Sequence, residues 1–413
     1  MIGRAVSADI ERDAKPPALE RGRILVLVPY YRPGFKGGGP IASLEALIGQ
    51  LSEEFSWVLA TADRDYGDKK RYPNIPGDGR LAKKGLTILY IRPHLGRLIR
   101  LAGLLRRGDY DLLYINDMFS PQWGVWPLVV HRLGWSKGRP VLVAPRNQFS
   151  PGALGIKRLK KRIFLWAARL IGLWKCVSWH ATSEEEFAEI RDCVGDGAAV
   201  WVAPVFPSRH VLAGARMSSP PNDGPLRVAF FSRISPKKNL DVALSVLAGV
   251  PFAVRFDIVG PVDDEAYWER IKARIARLPR HITATHLGPV EPSHVQDLFG
   301  SYHAMLLPTR GENFGHVILE ALAAGCPPII SDRTPWKDLM ERGCGWVVPL
   351  DDKDGFRKAL TELNAMGPED REQMRSAARQ YARSYIANPE TKEMNRKMFH
   401  EAMGSSKTHA AGR

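Results

Sequence analysis

The chain has 413 residues, of which 45% are hydrophobic and 25% are charged. This composition is ordinary for globular proteins and excludes fibrous and repetitive architectures, while the length exceeds what one hydrophobic core usually serves and so predicts two domains. The formal net charge of +15 calls for an acidic partner, which is a nucleic acid, an anionic lipid or a phosphorylated substrate.

The N-terminal segment 1–22 is charged and has no sustained apolar core, so we predict a mobile leader and not a secretory signal, in a cytoplasmic protein. The densest apolar stretch, 163–174, contains Arg169 and is shorter than the roughly 20 residues of a membrane-spanning helix. Cysteines form no C-x-x-C pair, and histidines form no H-E-x-x-H cluster. These absences argue against a disulfide framework and a stable metal site.

The first half begins with an apolar strand-like run at 23–29, followed by the loop 30–39 and an amphipathic helix at 40–51. Three glycines at 37–39 allow close backbone approach, and Pro40 suits the first position of a helix. This loop either binds an anion through free N–H groups or simply connects two elements.

Further strand-like runs alternate with helical segments, which is the pattern of a parallel α/β sheet. In the first half they lie at 57–61, 112–115, 141–144 and 176–181. In the second half they lie at 226–231, 256–259, 282–287, 304–307, 328–330 and 346–348, with helices such as 264–278 and 334–342. We predict an N-terminal domain at 23–206, a Pro- and Ser-rich linker at 207–225, and a C-terminal domain at 226–387.

Two acids in the second half, Glu312 and Glu320, lie eight positions apart across a loop that leads into an apolar helix ended by Gly325. Free backbone N–H groups at Phe314 and Gly315 would face an anion between them. The alternative is two solvated glutamates, because exposed Glu is common.

Two cations, Arg233 and Lys238, leave the end of the strand-like run 226–231 together. Open parallel sheets bind ligands at the carboxyl ends of their strands. Two cations there suit a diphosphate whose charge rises as a sugar–phosphate bond breaks.

Together these motifs resemble the donor site of family 4 glycosyltransferases, and the resemblance covers most of the chain. It implies the GT-B fold, an α/β architecture of two Rossmann-like domains whose parallel sheets face each other across a cleft. It also implies a retaining, metal-independent transfer of sugar from a nucleotide-diphosphate sugar to an acceptor hydroxyl, with no cofactor and no protein nucleophile. The segments 61–92 and 145–161 look like those of members from bacterial surface-polysaccharide pathways, so the implied acceptor is a polyprenyl-diphosphate-linked or other lipid-linked glycan.

By this resemblance, Arg233 and Lys238 hold the donor diphosphate, and Lys237 is the alternative to Lys238. Glu312 contacts the transferred sugar, and Glu320 accepts hydrogen bonds from the ribose hydroxyls. Backbone amides that face the sugar and phosphate belong to Asn313, Phe314 and Gly315. The glycine loop with Gly38 and Gly39 closes over the phosphates from the opposite domain, and the loop 288–290 lies near the base.

Two features depart from this pattern. Where many family members have a histidine near the sugar, this chain has Arg146 or Asn147, and either residue is able to donate to a sugar or acceptor oxygen. Arg146 is also able to bind an acceptor phosphate through two hydrogen bonds, and the alternative is that it only holds its own loop. The triplet Asp63-Arg64-Asp65 copies the D-x-D spacing that holds a metal in the other large glycosyltransferase fold, GT-A. Since the diphosphate is already assigned to cations of the second half, we predict no metal and place this triplet beside the acceptor.

Basic residues alternate with bulky apolar ones at 92–107 and 157–166. Such helices lie well on anionic membranes, so we predict peripheral association with the inner face of the cell membrane, against the alternative of a solvated basic face. By resemblance, the tail 388–413 crosses back to the first domain. Other functions left open are a GT-B epimerase or phosphorylase, a catalytically silent scaffold, and a basic nucleic-acid-binding α/β protein, although nucleic-acid-binding signatures are missing.

Overall fold

The computed structural model describes residues 21–92, 96–155, 158–208, 211 and 218–410. Most of the predicted leader and the centre of the predicted linker therefore lie outside the described residues. The chain forms two α/β units, each built on its own largely parallel sheet.

The first sheet has eight strands in the order β3-β4-β2-β1-β5-β6-β7-β8. Every neighbouring pair is parallel except β3 and β4, which form an antiparallel hairpin that the sequence patterns did not predict. The strands are β1 Arg23–Leu27, β2 Ser56–Ala62, β3 Arg80–Lys83, β4 Leu86–Ile91, β5 Leu112–Ile115, β6 Val141–Val143, β7 Val177–Ala181 and β8 Ala199–Val202.

The second sheet has six strands, all parallel, in the order β11-β10-β9-β12-β13-β14. They are β9 Leu226–Phe231, β10 Val254–Val259, β11 Ile282–Gly288, β12 Ala304–Leu307, β13 Pro328–Ser331 and β14 Trp346–Val348. Central strands such as β5 and β12 are buried along their whole length, because helices cover both faces of a parallel sheet.

Helices connect the strands and cover the sheets. In the first half they are α1 Gly39–Gln50, α2 Gly96–Arg107, α3 Trp126–Arg132, α4 Pro151–Gly155, α5 Arg158–Leu170 and α6 Glu184–Val194. In the second half they are α7 Leu240–Leu247, α8 Glu265–Ile275, α9 Pro292–Gly300, α10 His316–Ala323, α11 Lys353–Ala365, α12 Pro368–Ile386 and α13 Glu390–Ala410. None of the described helices is both long and apolar enough to cross a membrane.

The helix predicted at 334–342 is wrong, since this segment consists of a bend, irregular backbone at 336–338 and a turn. The Thr334 hydroxyl oxygen accepts a hydrogen bond from the backbone N–H of Trp336, at 3.3 Å, which offers the backbone an alternative to helix. The Trp336 indole donates to the carbonyl oxygen of Phe314 at 2.6 Å. This segment therefore supports the loop that contains the glutamate motif.

The C-terminal helix α13 packs on the first sheet. Phe399 is fully buried in the core of the first half, where its ring lies 5.7 Å from that of Phe55 and 5.5 Å from that of Trp57. The Asn395 side chain donates to the carbonyl oxygen of Pro204 at 2.8 Å. The last helix thereby ties the end of the chain to the first domain.

Candidate functional site

A cleft of about 360 Å³ lies between the two sheets, at the carboxyl ends of their strands. From the first half it is lined by the glycine loop 37–39 and Arg146, and from the second half by Arg233, residues 237–238 and residues 312–317 with Glu320. The predicted base loop also contributes, through Pro289 and Val290. The fold thus brings the predicted site residues to one place, apart from Asn147, which does not line the cleft.

Lys238 and Glu312 form an ion pair in the cleft wall, with 2.5 Å between Nζ and Oε1. Their side chains are only 13% and 10% exposed, so the pair is largely shielded from solvent. Arg310 joins the two loops that carry them, because its backbone N–H donates to the carbonyl oxygen of Lys237 and its Nε donates to Oδ1 of Asn239. The cation predicted for phosphate and the acid predicted for sugar are therefore neighbours.

Arg233 forms an ion pair with Asp263, at 3.2 Å between Nη1 and Oδ2. The Tyr66 hydroxyl, which belongs to the first half, donates to the other carboxylate oxygen of Asp263 at 2.6 Å. This hydrogen bond to Asp263 and burial raise the pKa of Tyr66 to about 12. Asp263 therefore bridges a predicted phosphate-binding cation and the opposite domain.

Sequence reasoning missed both Asp263 and Tyr66. The signal was present, since each follows the end of a parallel strand, β10 and β2 respectively, where ligand-binding loops lie. Nothing in the sequence pairs the two residues, because they are 197 positions apart.

The backbone at Gly315 starts helix α10 in a left-handed conformation, with φ of 77°. A side chain there would be strained and would also meet Ile318, whose Cδ1 lies 2.8 Å from the position of an added Cβ. Within the described part of the chain, the amides of Asn313, Phe314 and Gly315 have no hydrogen-bond acceptor. These donors at the start of a helix are suited to an anionic group in the cleft.

Glu320 lies on the cleft side of α10, one turn after the start of the helix. Burial raises the pKa of its carboxyl to about 7, against a small lowering by the hydroxyl of Ser208, which donates to Oε1 at 3.2 Å. Ser208 also lines the cleft and has no sequence signal that predicts its role. The acid predicted to hold ribose is therefore partly protonated near neutral pH.

His316 closes the cleft from the second half, because its Nε2 lies 2.5 Å from the Ser43 hydroxyl on α1. Burial, with a smaller contribution from the Arg146 charge, lowers the pKa of His316 to about 3, so the imidazole is neutral. A Cβ added to Gly39 would lie 3.3 Å from the His316 ring. Sequence reasoning missed this contact, in which the glycine loop and α10 approach across the cleft.

The D-x-D triplet holds the glycine loop in place. Asp65 is 5% exposed and accepts hydrogen bonds from the backbone N–H groups of Phe35 and Lys36, at 2.8 and 3.1 Å. Asp63 is fully buried and forms ion pairs with Arg64 and with Arg71. Across the residues that the structure describes, no group of three or more His, Cys, Asp or Glu side chains is arranged to hold a metal ion.

Arg146 has a left-handed backbone conformation, with φ of 55°. Its Nε donates to Oδ1 of Asn116 at 3.0 Å, and its Nη2 donates to the Tyr114 hydroxyl at 2.8 Å. Asn147 is buried, and its backbone N–H donates to Oε1 of Glu186. Of the two candidates for the histidine position, Arg146 is the one in the cleft wall.

Comparison with known proteins matches residues 215–381 to the family described as Glycosyl transferases group 1. The matched segment is less than half of the chain and contains Arg233, Lys238, Glu312 and Glu320. The phosphatidyl-myo-inositol mannosyltransferase of Mycobacterium leprae is 26% identical over 272 residues, which are 62% of this chain and 64% of that protein. The enzyme of the same name from Mycobacterium tuberculosis H37Rv is 30% identical over 156 residues, 36% of this chain and 39% of that protein. The matched parts thus span less than two thirds of either relative.

Solved structures resemble this chain along most of its length. Sucrose-phosphate synthase from Thermosynechococcus elongatus superposes with a TM-score of 0.69 at 16% identity, over 93% of this chain and 100% of that one. HepE of Anabaena, solved with UDP-glucose, superposes with a TM-score of 0.68 at 17% identity, over 92% and 99% of the two chains. These likenesses confirm the predicted GT-B fold.

Proposed function

We propose that this glycosyltransferase moves a sugar from a nucleotide-diphosphate sugar to an acceptor hydroxyl, with retention of configuration and without a metal ion. The observation that carries the proposal is the meeting of Arg233, Lys238, Glu312 and Glu320 in the walls of one cleft between two Rossmann-like domains. Each half supplies one wall, so the cleft suits an elongated ligand that touches both.

The diphosphate enters by exchanging ion-pair partners. In the structure, Arg233 pairs with Asp263 and Lys238 pairs with Glu312. A diphosphate carries two charges and several acceptor oxygens, so it forms stronger charge-assisted hydrogen bonds with both cations than single carboxylates do. The exchange frees Glu312 to accept hydrogen bonds from the sugar hydroxyls.

Catalysis then depends on how well the protein stabilises the negative charge of the departing diphosphate. Negative charge on the departing diphosphate increases as the sugar–phosphate bond breaks, and Arg233 and Lys238 hold this charge more tightly in the transition state than in the ground state. The amides of Phe314 and Gly315 add fixed donors at the start of α10.

Retention follows if the new bond forms on the face from which the phosphate leaves. The acceptor oxygen bonds to the anomeric carbon, the bond from that carbon to the phosphate oxygen breaks, and the acceptor proton passes to the departing phosphate. This sequence needs no protein nucleophile. It leaves Glu312 and Glu320, the two carboxylates in the cleft lining, with positioning roles.

Three cations of the second half, Arg233, Lys237 and Lys238, supply the charge that a divalent metal supplies elsewhere. The Asp63 carboxylate is neutralised by arginines, and that of Asp65 accepts backbone N–H groups. These ion pairs and hydrogen bonds support a structural role for the D-x-D triplet, and not a role in binding a metal.

We propose a lipid-linked glycan as acceptor, made for a surface polysaccharide at the inner face of the cell membrane. Helix α5 supports this proposal, because Leu159, Ile163, Trp166 and Leu170 are 72%, 56%, 66% and 71% exposed on a helix rich in lysine and arginine. Basic helices with exposed apolar groups bind anionic membranes. The two mycobacterial relatives are named for a phosphatidylinositol acceptor, which is also a lipid.

The test is an assay of transfer from nucleotide sugars to a bacterial lipid extract, with EDTA throughout and NMR of the product's anomeric proton. The proposal predicts a glycolipid whose anomeric configuration matches that of the donor, and no product with an Arg233→Ala variant. Inversion or a metal requirement would refute the corresponding part of the mechanism. Donor epimerisation without an acceptor, or dependence on inorganic phosphate, would instead favour an epimerase or a phosphorylase.

A further inference from the structure

The cleft is lined by six cations, and two of them form no ion pair among the described residues. Its lining cations are Arg32, Lys36, Arg146, Arg233, Lys237 and Lys238. Four of them have carboxylate partners: Glu45 for Arg32, Asp68 for Lys36, Asp263 for Arg233 and Glu312 for Lys238. Within the described residues, Arg146 and Lys237 form no ion pair. Of these two cations, Arg146 is the one that the first half contributes to the cleft wall.

Arg146 is held rigidly by neutral groups. Both Asn116 and the Tyr114 hydroxyl accept hydrogen bonds from its guanidinium, and neither brings a charge. The His180 Nε2 lies 2.8 Å from the carbonyl oxygen of Ala203, which can only accept, so Nε2 carries the proton. His180 Nδ1 is therefore an acceptor and takes the Tyr114 hydroxyl proton at 2.8 Å, which leaves the Tyr114 oxygen to accept from Arg146.

The remaining nitrogen of the guanidinium, Nη1, is buried and has no hydrogen-bond partner among the described residues. Leaving a buried charged donor unsatisfied is costly, and so is the left-handed backbone of Arg146, a residue with a Cβ. The Arg146 charge also lowers the pKa of His316, the first residue of α10, and both residues line the cleft.

We infer that Arg146 binds an oxyanion of a substrate, a carboxylate or a phosphate group distinct from the donor diphosphate. This inference rests on the proposed function and adds a substrate class to it. The shared chemistry is a planar or tetrahedral oxyanion that accepts paired hydrogen bonds from a guanidinium. Its two sources are the carboxylate of a uronic acid on the donor and a phosphate on the acceptor.

The experiment measures binding by calorimetry for the native protein, Arg146→Gln and the charge-preserving control Arg146→Lys. Probes are neutral and acidic nucleotide sugars in matched pairs, namely UDP-glucose with UDP-glucuronic acid and GDP-mannose with GDP-mannuronic acid. The parent nucleoside diphosphates are used alone and together with inorganic phosphate.

If the oxyanion belongs to the donor, the acidic member of one pair binds the native protein more tightly than its neutral partner, and Arg146→Gln abolishes this preference, a loss of about tenfold or more. If it belongs to the acceptor, phosphate binds on top of the nucleoside diphosphate, and Arg146→Gln weakens only the phosphate step. Arg146→Lys retains part of either effect, and all three proteins bind the nucleoside diphosphate equally.

Equal preferences and equal phosphate affinities in native protein and Arg146→Gln would overturn the inference. If no nucleotide binds any of the proteins, the proposed function fails, and phosphate titration without nucleotide decides the site by itself. Loss of phosphate binding in Arg146→Gln would support the oxyanion site. Unchanged phosphate binding in this variant would reject the site.

Discussion

The raised pKa of Glu320 predicts that donor binding depends on pH. Burial raises this pKa from an ordinary value of 4.5 to about 7. The ionised carboxylate accepts hydrogen bonds from both ribose hydroxyls more strongly than the carboxylic acid, so donor binding favours loss of the proton from the protonated fraction. At pH 6 roughly one molecule in eleven has the ionised carboxylate, and at pH 8 roughly nine in ten, so the affinity falls by up to about tenfold from pH 8 to pH 6.

The assay is calorimetric titration of a nucleotide sugar from pH 5.5 to 8.5. A nucleotide sugar is the right probe because its diphosphate is esterified at both ends and does not titrate in this range. We expect Glu320→Gln to bind more weakly and with no slope across this interval. Glu189, whose pKa burial also raises to about 7 but which does not line the cleft, provides a matched control: Glu189→Gln should keep the native slope.

Folding stability should respond with the opposite sign. A carboxyl whose pKa is higher in the folded protein stabilises the fold fully below its ordinary pKa, and this stabilisation is lost as the pH rises through the folded value. Ligand-free native protein should therefore lose stability relative to Glu320→Gln between pH 4.5 and pH 7. Donor affinity that is flat between pH 6 and pH 8 in the native protein, or an equal slope in Glu320→Gln, would refute this reasoning.

Three further predictions concern the domain contacts and the surface. Tyr66→Phe removes the hydroxyl that binds Asp263 across the cleft, so the free energy of unfolding should fall by about 1 kcal/mol, and an unchanged denaturation midpoint would contradict a stabilising bridge. Phe399→Ala leaves a cavity under α13 and should cost about 3–5 kcal/mol in chemical denaturation, whereas a loss below about 1 kcal/mol would show that α13 is not docked in solution. Trp166→Glu should reduce sedimentation with anionic vesicles severalfold while donor affinity stays native, and equal sedimentation would exclude α5 from the membrane contact.

Strands were predictable from the sequence where burial on both faces makes them continuous apolar runs. The bounds of β5, β9, β12 and β14 agree with the sequence patterns. The hairpin β3–β4 was not predictable in this way, because three of the four residues of Arg80–Lys83 are exposed and the fourth is partly so, which gives no apolar run. The local sequence pattern also predicted a helix at 334–342 incorrectly, because this segment instead contacts the loop that contains Glu312.

The residues of the candidate site likewise fall into those that the sequence predicted and those that it did not. Residues in one local motif, such as Glu312 and Glu320, were found because their spacing and their loop are visible in the sequence. Residues that act through contacts between the halves, such as Tyr66, Ser43 and Ser208, were missed because their role exists only once the domains face each other. The sequence also could not show that Lys238 and Glu312 form an ion pair with each other.

The most direct test of the central claim is thermal stabilisation by a panel of nucleoside diphosphates and nucleotide sugars with EDTA present. Native protein is compared with Arg233→Ala, Glu320→Ala and, as a control outside the cleft, Glu189→Gln. We expect at least one nucleotide to raise the unfolding midpoint of native protein and of Glu189→Gln and not to raise it in the two cleft variants. No stabilisation by any nucleotide, or an equal rise in all four proteins, would contradict the assignment of this cleft as the donor site.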